Sequence, residues 1–213
     1  MQHPFVNEET NKLRLFTTHQ LALNEYLLII QPEETVYEKI MQEKKTFAET
    51  YDCPMAAYLK PHLTLISFVQ YDMMEAKIIH RMQQVAAGCS SFKIDLNGFG
   101  SFPSHTIYVN LQTRKPVVQL VKQFRPLQAL LKPDAEHKPH LIMEPHISIC
   151  RKLLPWQYEK AWAEYQQKHF TASCMVNDIV LLRRNENNKA YRVVGKFPLL
   201  NKKVYPVQAS LFS

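Results

Sequence analysis

The sequence predicts an α+β fold, on three observations. Short apolar runs of strand length alternate with longer segments whose apolar residues recur at helical spacing. Several of the strand runs are joined by short turns, which favours antiparallel pairing over a doubly wound parallel sheet. Only four glycines occur in 213 residues, and there is no G-x-G-x-x-G and no Walker loop, so no glycine-rich phosphate cradle is present.

The elements follow in order. Residues 1–22 show weak periodicity and read as an N-terminal extension; residues 23–213 read as one domain. Tyr26 to Ile30 is a buried strand, and Pro32 opens a helix whose inner face is Val36, Ile40, Phe47 and Tyr51. His62 to Val69 is rich in β-branched and aromatic residues and predicts a strand. Asp72 with Glu75 resembles a capping box for a helix through Ile78, Met82 and Ala86, stopped by Gly88. Phe92 to Leu96 and Thr106 to Leu111 are expected as strands around a loop carrying Gly98, Gly100 and Pro103. Pro116 opens a third helix through Leu131, with Pro126 kinking it. Lys132 to Met143 reads as a loop and His146 to Leu153 as a strand. Pro155 opens a fourth helix through Tyr158, Trp162 and Tyr165. The last strands are Ala172 to Leu182 and Ala190 to Phe197, joined by the polar turn Asn185 to Asn188.

Composition narrows the function. The charge balance is 26 Lys+Arg against 19 Asp+Glu, a surplus that suits anionic partners such as phosphates. The basic residues occur at most in pairs, so no dedicated nucleic-acid tract exists. Cys53, Cys89, Cys150 and Cys174 form no C-x-x-C pair and no disulfide pattern, which predicts reduced, mostly buried thiols. The N-terminus lacks a basic start followed by an apolar run, and no apolar stretch is long enough to span a membrane. A soluble, cytoplasmic protein is therefore expected, with no membrane partner.

One pattern occurs twice. Pro61-His62-Leu63-Thr64-Leu65 is matched by Pro145-His146-Ile147-Ser148-Ile149, each reading proline, histidine, aliphatic, hydroxyl, aliphatic. Side chains alternate along a strand, so His62 and Thr64 share one face, and His146 and Ser148 share one face. The aliphatic residues go to the opposite, buried face. If the two strands lie side by side, two imidazoles and two hydroxyls converge. Breaking a phosphodiester needs a base for the attacking oxygen and an acid for the leaving oxygen, and histidine serves as either near neutral pH. The hydroxyls can donate to the non-bridging oxygens where charge builds up. This chemistry needs no metal and no cofactor.

These residues resemble the two-histidine phosphoesterase superfamily and, within it, the RNA 2′,5′-ligase-like proteins, whose signature is two H-x-[ST]-hydrophobic motifs. The match lies at His62-Leu63-Thr64-Leu65 and His146-Ile147-Ser148-Ile149, and the element order from Tyr26 to Leu199 also fits. The resemblance implies two pseudo-twofold-related lobes, each an antiparallel sheet with packed helices. It implies a cleft between them with both motifs on its floor, and metal-free action on 2′,3′-cyclic or 2′,5′-linked phosphates of RNA or small nucleotides. Hydrolytic and ligating members share the motifs, so hydrolysis, RNA 2′,5′-ligation and non-catalytic RNA or nucleotide binding all stay open. The sequence leaves the oligomeric state open too.

Other residues are candidates for substrate contact. Arg151, with Lys152, follows the second motif and can steer an anion; Tyr191 begins the last strand; His105 sits in the glycine-containing loop. A rival reading makes His137-x-x-His140 with His146 a zinc site, but Pro139 interrupts the spacing and no cysteine completes the set.

Overall fold

The structure is a computed structural model that describes residues 22–185 and 190–202. All but Ala22 of the extension expected at residues 1–22, and all but Asn185 of the polar turn Asn185 to Asn188, therefore lie outside the described residues.

Among the described residues nine strands form one antiparallel sheet: β1 (Leu23–Ile30), β2 (Leu63–Tyr71), β3 (Phe92–Phe102), β4 (Thr106–Leu111), β5 (His140–Leu141), β6 (His146–Arg151), β7 (Thr171–Val176), β8 (Asp178–Asn185) and β9 (Arg192–Pro198). Their spatial order is β7-β3-β4-β6-β2-β1-β8-β9, with the two-residue β5 on β2. The path divides in the middle. β2 and β6 share one paired position, Leu63 with Ile147, whereas every other neighbour on the main path is joined over at least five. Two four-stranded halves, β7-β3-β4-β6 and β2-β1-β8-β9, thus meet along a seam made by the two motif strands.

The helices are α1 (Glu34–Thr50), the short α2 (Met55–Tyr58), α3 (Glu75–Ala87), α4 (Arg114–Gln123) and α5 (Pro155–Tyr165). α1 packs on β6 and β7 and α5 on β3 and β4, while α3 packs on β9 and α4 on β2. Each half is therefore an antiparallel sheet backed by helices. The fold is α+β with two related lobes. Among the described residues no helix is long and apolar enough to cross a membrane.

The core follows the periodicities. Val36, Ile40 and Phe47 of α1 are buried, as are Ile78, Met82 and Ala86 of α3. Pro155 starts α5, where the Gln157 side chain accepts the Leu154 N–H at 3.0 Å.

Four elements depart from expectation. β3 runs unbroken through Gly98 and Gly100 where a loop is expected. Gly98 has φ +64 and sits at an irregularity in the β3–β4 register, so the glycines bend the strand without ending it. The apolar run Ala172 to Leu182 is two strands. β7 pairs with β3 and β8 with β1, so the chain changes lobe at Asn177, whose carbonyl accepts the Leu199 N–H. Pro126 does not kink a long helix: α4 stops at Gln123, and Arg125–Leu127 is a separate single 3-10 turn. Asp72 does not cap α3. It lies in a 3-10 turn, Asp72–Met74, and its carboxylate is held by Arg183 and by Asn24.

Candidate active site

The seam builds the site. Leu63 pairs with Ile147 in antiparallel sense, so His62 and Thr64 flank that pair on β2 and His146 and Ser148 flank it on β6. A local twofold axis at the Leu63–Ile147 pair thus relates His62 to His146 and Thr64 to Ser148. Ile30, Leu63, Ile147 and Val109 form one fully buried row across the seam, so the four motif side chains project from the other face. A charge on His146 acts on the His62 imidazole, so the two rings are electrostatic neighbours.

Local symmetry extends further. β2 bulges against β1 with Leu65 as its extra residue, and β6 bulges against β4 with Ile149 as its extra residue. Each bulge falls three residues after its histidine. It explains why two consecutive residues, Leu65-Ile66 and Ile149-Cys150, are buried on strands that otherwise alternate.

The two imidazoles are held alike. His62 Nδ1 lies 2.8 Å from the Lys60 carbonyl oxygen, and His146 Nδ1 lies 2.8 Å from the Glu144 carbonyl oxygen. A carbonyl oxygen only accepts, so Nδ1 carries the proton and Nε2 remains the free position on each ring. Burial pushes both imidazoles below the ordinary histidine range. The Arg151 guanidinium acts on both in the same direction; Lys44 and His146 add to the effect on His62, and Glu144 offsets part of it on His146. Thr64 and Ser148 are partly exposed.

These shifts carry a stability prediction. Both histidines are neutral more readily in the folded than in the unfolded chain. Their contribution is complete above about pH 6.5, and it is lost as pH falls through their depressed folded values. Urea midpoints measured at about pH 7.5 and about pH 5 should show a smaller acid loss for His62→Gln than for the unaltered protein. An equal loss would contradict the burial of His62.

The surrounding residues differ between the lobes. On the β4 side, Tyr108 pairs with Ser148 and Asn110 with His146. The Tyr108 and Phe102 rings both lie 4.9 Å from the His146 ring, and 4.8 Å from each other. Gly100 stands opposite Tyr108, and a Cβ there would come within 2.5 Å of the phenol ring. Gly100→Ala is thus expected to displace Tyr108 and, through it, His146; a misplacement of about 1 Å can cost roughly 10²-fold in rate. Normal turnover in that variant would show that the ring yields without disturbing the imidazole.

Arg151 lies at the end of β6, exposed, with its charge acting on His62, His146 and Tyr191. Tyr191 precedes β9, under the Arg184 guanidinium at 4.7 Å, and Arg184 is paired with Glu25. The Arg151 charge acts on both motif histidines, whereas Tyr191 is tied to Arg184, Glu25 and Arg151. His105 lies in the exposed β3–β4 turn with Nδ1 at 2.7 Å from the Thr106 hydroxyl, and it makes no hydrogen bond to either motif among the described residues.

The rival histidine cluster is dispersed. His137 is bound by Asp134 at 2.8 Å, His140 is on β5 against Ser67, and His146 faces the seam. No three His, Cys, Asp or Glu side chains among the described residues come together as a ligand set.

The profile of the 2′-5′ RNA ligase superfamily matches residues 32–188, which include both motifs. The chain belongs to that superfamily. Solved structures with the same fold include TT0787 of Thermus thermophilus, at 17% identity and TM-score 0.56, covering 83% of this chain and 98% of that one. E. coli LigT complexed with 3′-AMP matches at 15% identity and TM-score 0.57, covering 84% and 98%. Usb1 of Kluyveromyces marxianus matches at 10% identity and TM-score 0.52, covering 83% and 98%. No curated protein sequence matches. Superfamily membership places this chain with the two-histidine phosphoesterases.

Sequence reasoning missed Tyr108, Phe102, Asn110 and Lys44. The alternation in β4 was a usable signal, because Tyr108 and Asn110 interrupt the buried Ile107, Val109 and Leu111. Which strand lies beside the second motif was not readable.

Proposed function

We propose that this protein is a metal-independent phosphodiesterase for 2′,3′-cyclic phosphate or 2′,5′-linked RNA and nucleotide substrates. The observation that carries this reading is the seam, where two imidazoles of the same tautomer flank the Leu63–Ile147 pair and act on each other electrostatically, each two residues from a hydroxyl on its own strand. In this reading one neutral imidazole takes the proton of the attacking oxygen, and the other, protonated, gives one to the leaving oxygen. Thr64 and Ser148 donate to the non-bridging oxygens, and Arg151 attracts the anion. The crystal structure of E. coli LigT with 3′-AMP supports a nucleotide in a fold of this kind. The catalytic unit is the two-lobed domain from residue 23 onward, with residues 1–22 as an extension to it.

The test is turnover of 2′,3′-cyclic nucleotides and 2′,5′-linked dinucleotides in a strong chelator. The expected result is full activity with a bell-shaped kcat/KM profile. Both imidazoles lie below their ordinary value of about 6.5, so the bell should centre on the acid side of that pH. Activity lost on chelation and restored by zinc or manganese would overturn the mechanism. Binding without turnover would make the cleft a nucleotide receptor, and joining of RNA ends would make the protein a 2′,5′-ligase.

A further inference from the structure

Lys44 is a charged residue in a core position. It continues the inner face of α1 after Val36 and Ile40 and before Phe47, and it is 1% exposed. Its Nζ donates to the Ser148 carbonyl at 2.9 Å and to the Ile149 carbonyl at 2.7 Å. No carboxylate lies within ion-pair distance of it among the described residues. Its other charged or titratable neighbours are the Cys53 and Cys150 thiols, the Arg151 guanidinium and the His62 imidazole. Burial pushes the Cys150 thiol up to about 12, so it is neutral and gives no counter-charge.

The pseudo-twofold makes this lysine informative. Ile149 is the extra residue of the β6 bulge, and its counterpart in β2 is Leu65. The Leu65 carbonyl accepts a neutral backbone N–H, from Ile142 at 2.9 Å. The Ile149 carbonyl accepts an ammonium instead. One bulge is closed by an amide and the other by a charge. Lys44 holds the carbonyl of Ser148, next to the Ile147 that pairs with Leu63, and its charge acts on His62 but is not among those acting on His146.

We propose that Lys44 is a positioning residue whose buried ammonium clamps the second motif strand and makes the two histidines unequal, so that His62 accepts the proton and His146 donates it. This rests on the two-histidine reading above. The groups facing each ring agree with it. His62 has the Lys60 carbonyl, Arg151, Lys44 and His146 about it. His146 has Glu144, the Glu144 carbonyl, Arg151, and the Phe102 and Tyr108 rings. A carboxylate and two aromatic rings favour an imidazolium, while an added ammonium disfavours one. Burial leaves Lys44 itself at about 8, so it is charged at the acid and neutral pH where the histidines titrate.

The test reads the imidazoles directly, by NMR titration of the free protein, and so does not depend on turnover. In the unaltered protein His62 should titrate below His146. In Lys44→Gln, which keeps an amide donor without the charge, His62 should move upward with His146 nearly unmoved. Lys44→Arg should keep the original order. The acid limb of kcat/KM should follow His62 in Lys44→Gln. Equal titration of the two rings in the unaltered protein, or the reverse order, overturns the proposal without any variant. So does a Lys44→Gln protein in which both rings move together or neither moves. Unequal rings in a protein without turnover would instead sink the catalytic reading and leave the electrostatic role of Lys44 standing.

Discussion

His62→Ala and His146→Ala are each expected to lower kcat on a 2′,3′-cyclic nucleotide by about 10²–10⁴-fold, with the fold retained. Both rings sit on the partly exposed face of the seam, so neither truncation opens the buried row beneath it. The double variant should lose little more than the worse single one, because an acid without its base no longer completes the reaction. The leaving group distinguishes the roles. An activated aryl leaving group departs without a proton, so the acid variant should recover much of its rate on such a substrate and the base variant should not. Thr64→Val and Ser148→Ala should cost about 10²–10³-fold each, the usual loss for one donor to a developing oxyanion. Near-normal turnover in either histidine variant would end the two-imidazole mechanism.

Leu63→Ala and Ile147→Ala are expected to destabilise the protein by about 2–5 kcal/mol each. Both side chains are fully buried, and they pair with each other at the one position where the motif strands meet. Each truncation leaves a cavity at a seam with little ladder to bridge it. The double variant should cost less than the sum, because the two cavities merge. Denaturant unfolding checks this, and strict additivity would show that the two side chains do not share packing. Both variants should also lose activity under folding conditions, since the pair sets the gap between His62 and His146.

Much of the site was legible in the chain because its chemistry is carried by strand-local pattern. A period of two places His62 with Thr64, and His146 with Ser148, on one face each, whatever lies next door. The neighbours were not legible. Gly98 and Gly100 read as loop because glycine weakens strands. In the fold, one bends β3 and the other makes room for the Tyr108 ring. Lys44 gave no signal because a lysine on a helix is ordinarily solvated, and its partners are carbonyls that exist only where β6 bulges.

Local pattern by itself determined the α+β class, the helical faces of α1 and α3, the two motifs and the side of each strand on which they lie. Tertiary structure alone decided that β2 and β6 are adjacent, that Ala172 to Leu182 divides between the lobes, and that the Tyr108 ring and the Arg151 charge act at the motif histidines. The reason is physical. Alternation and helical spacing act within a few residues, whereas strand adjacency is set by which buried faces pack together across the whole chain.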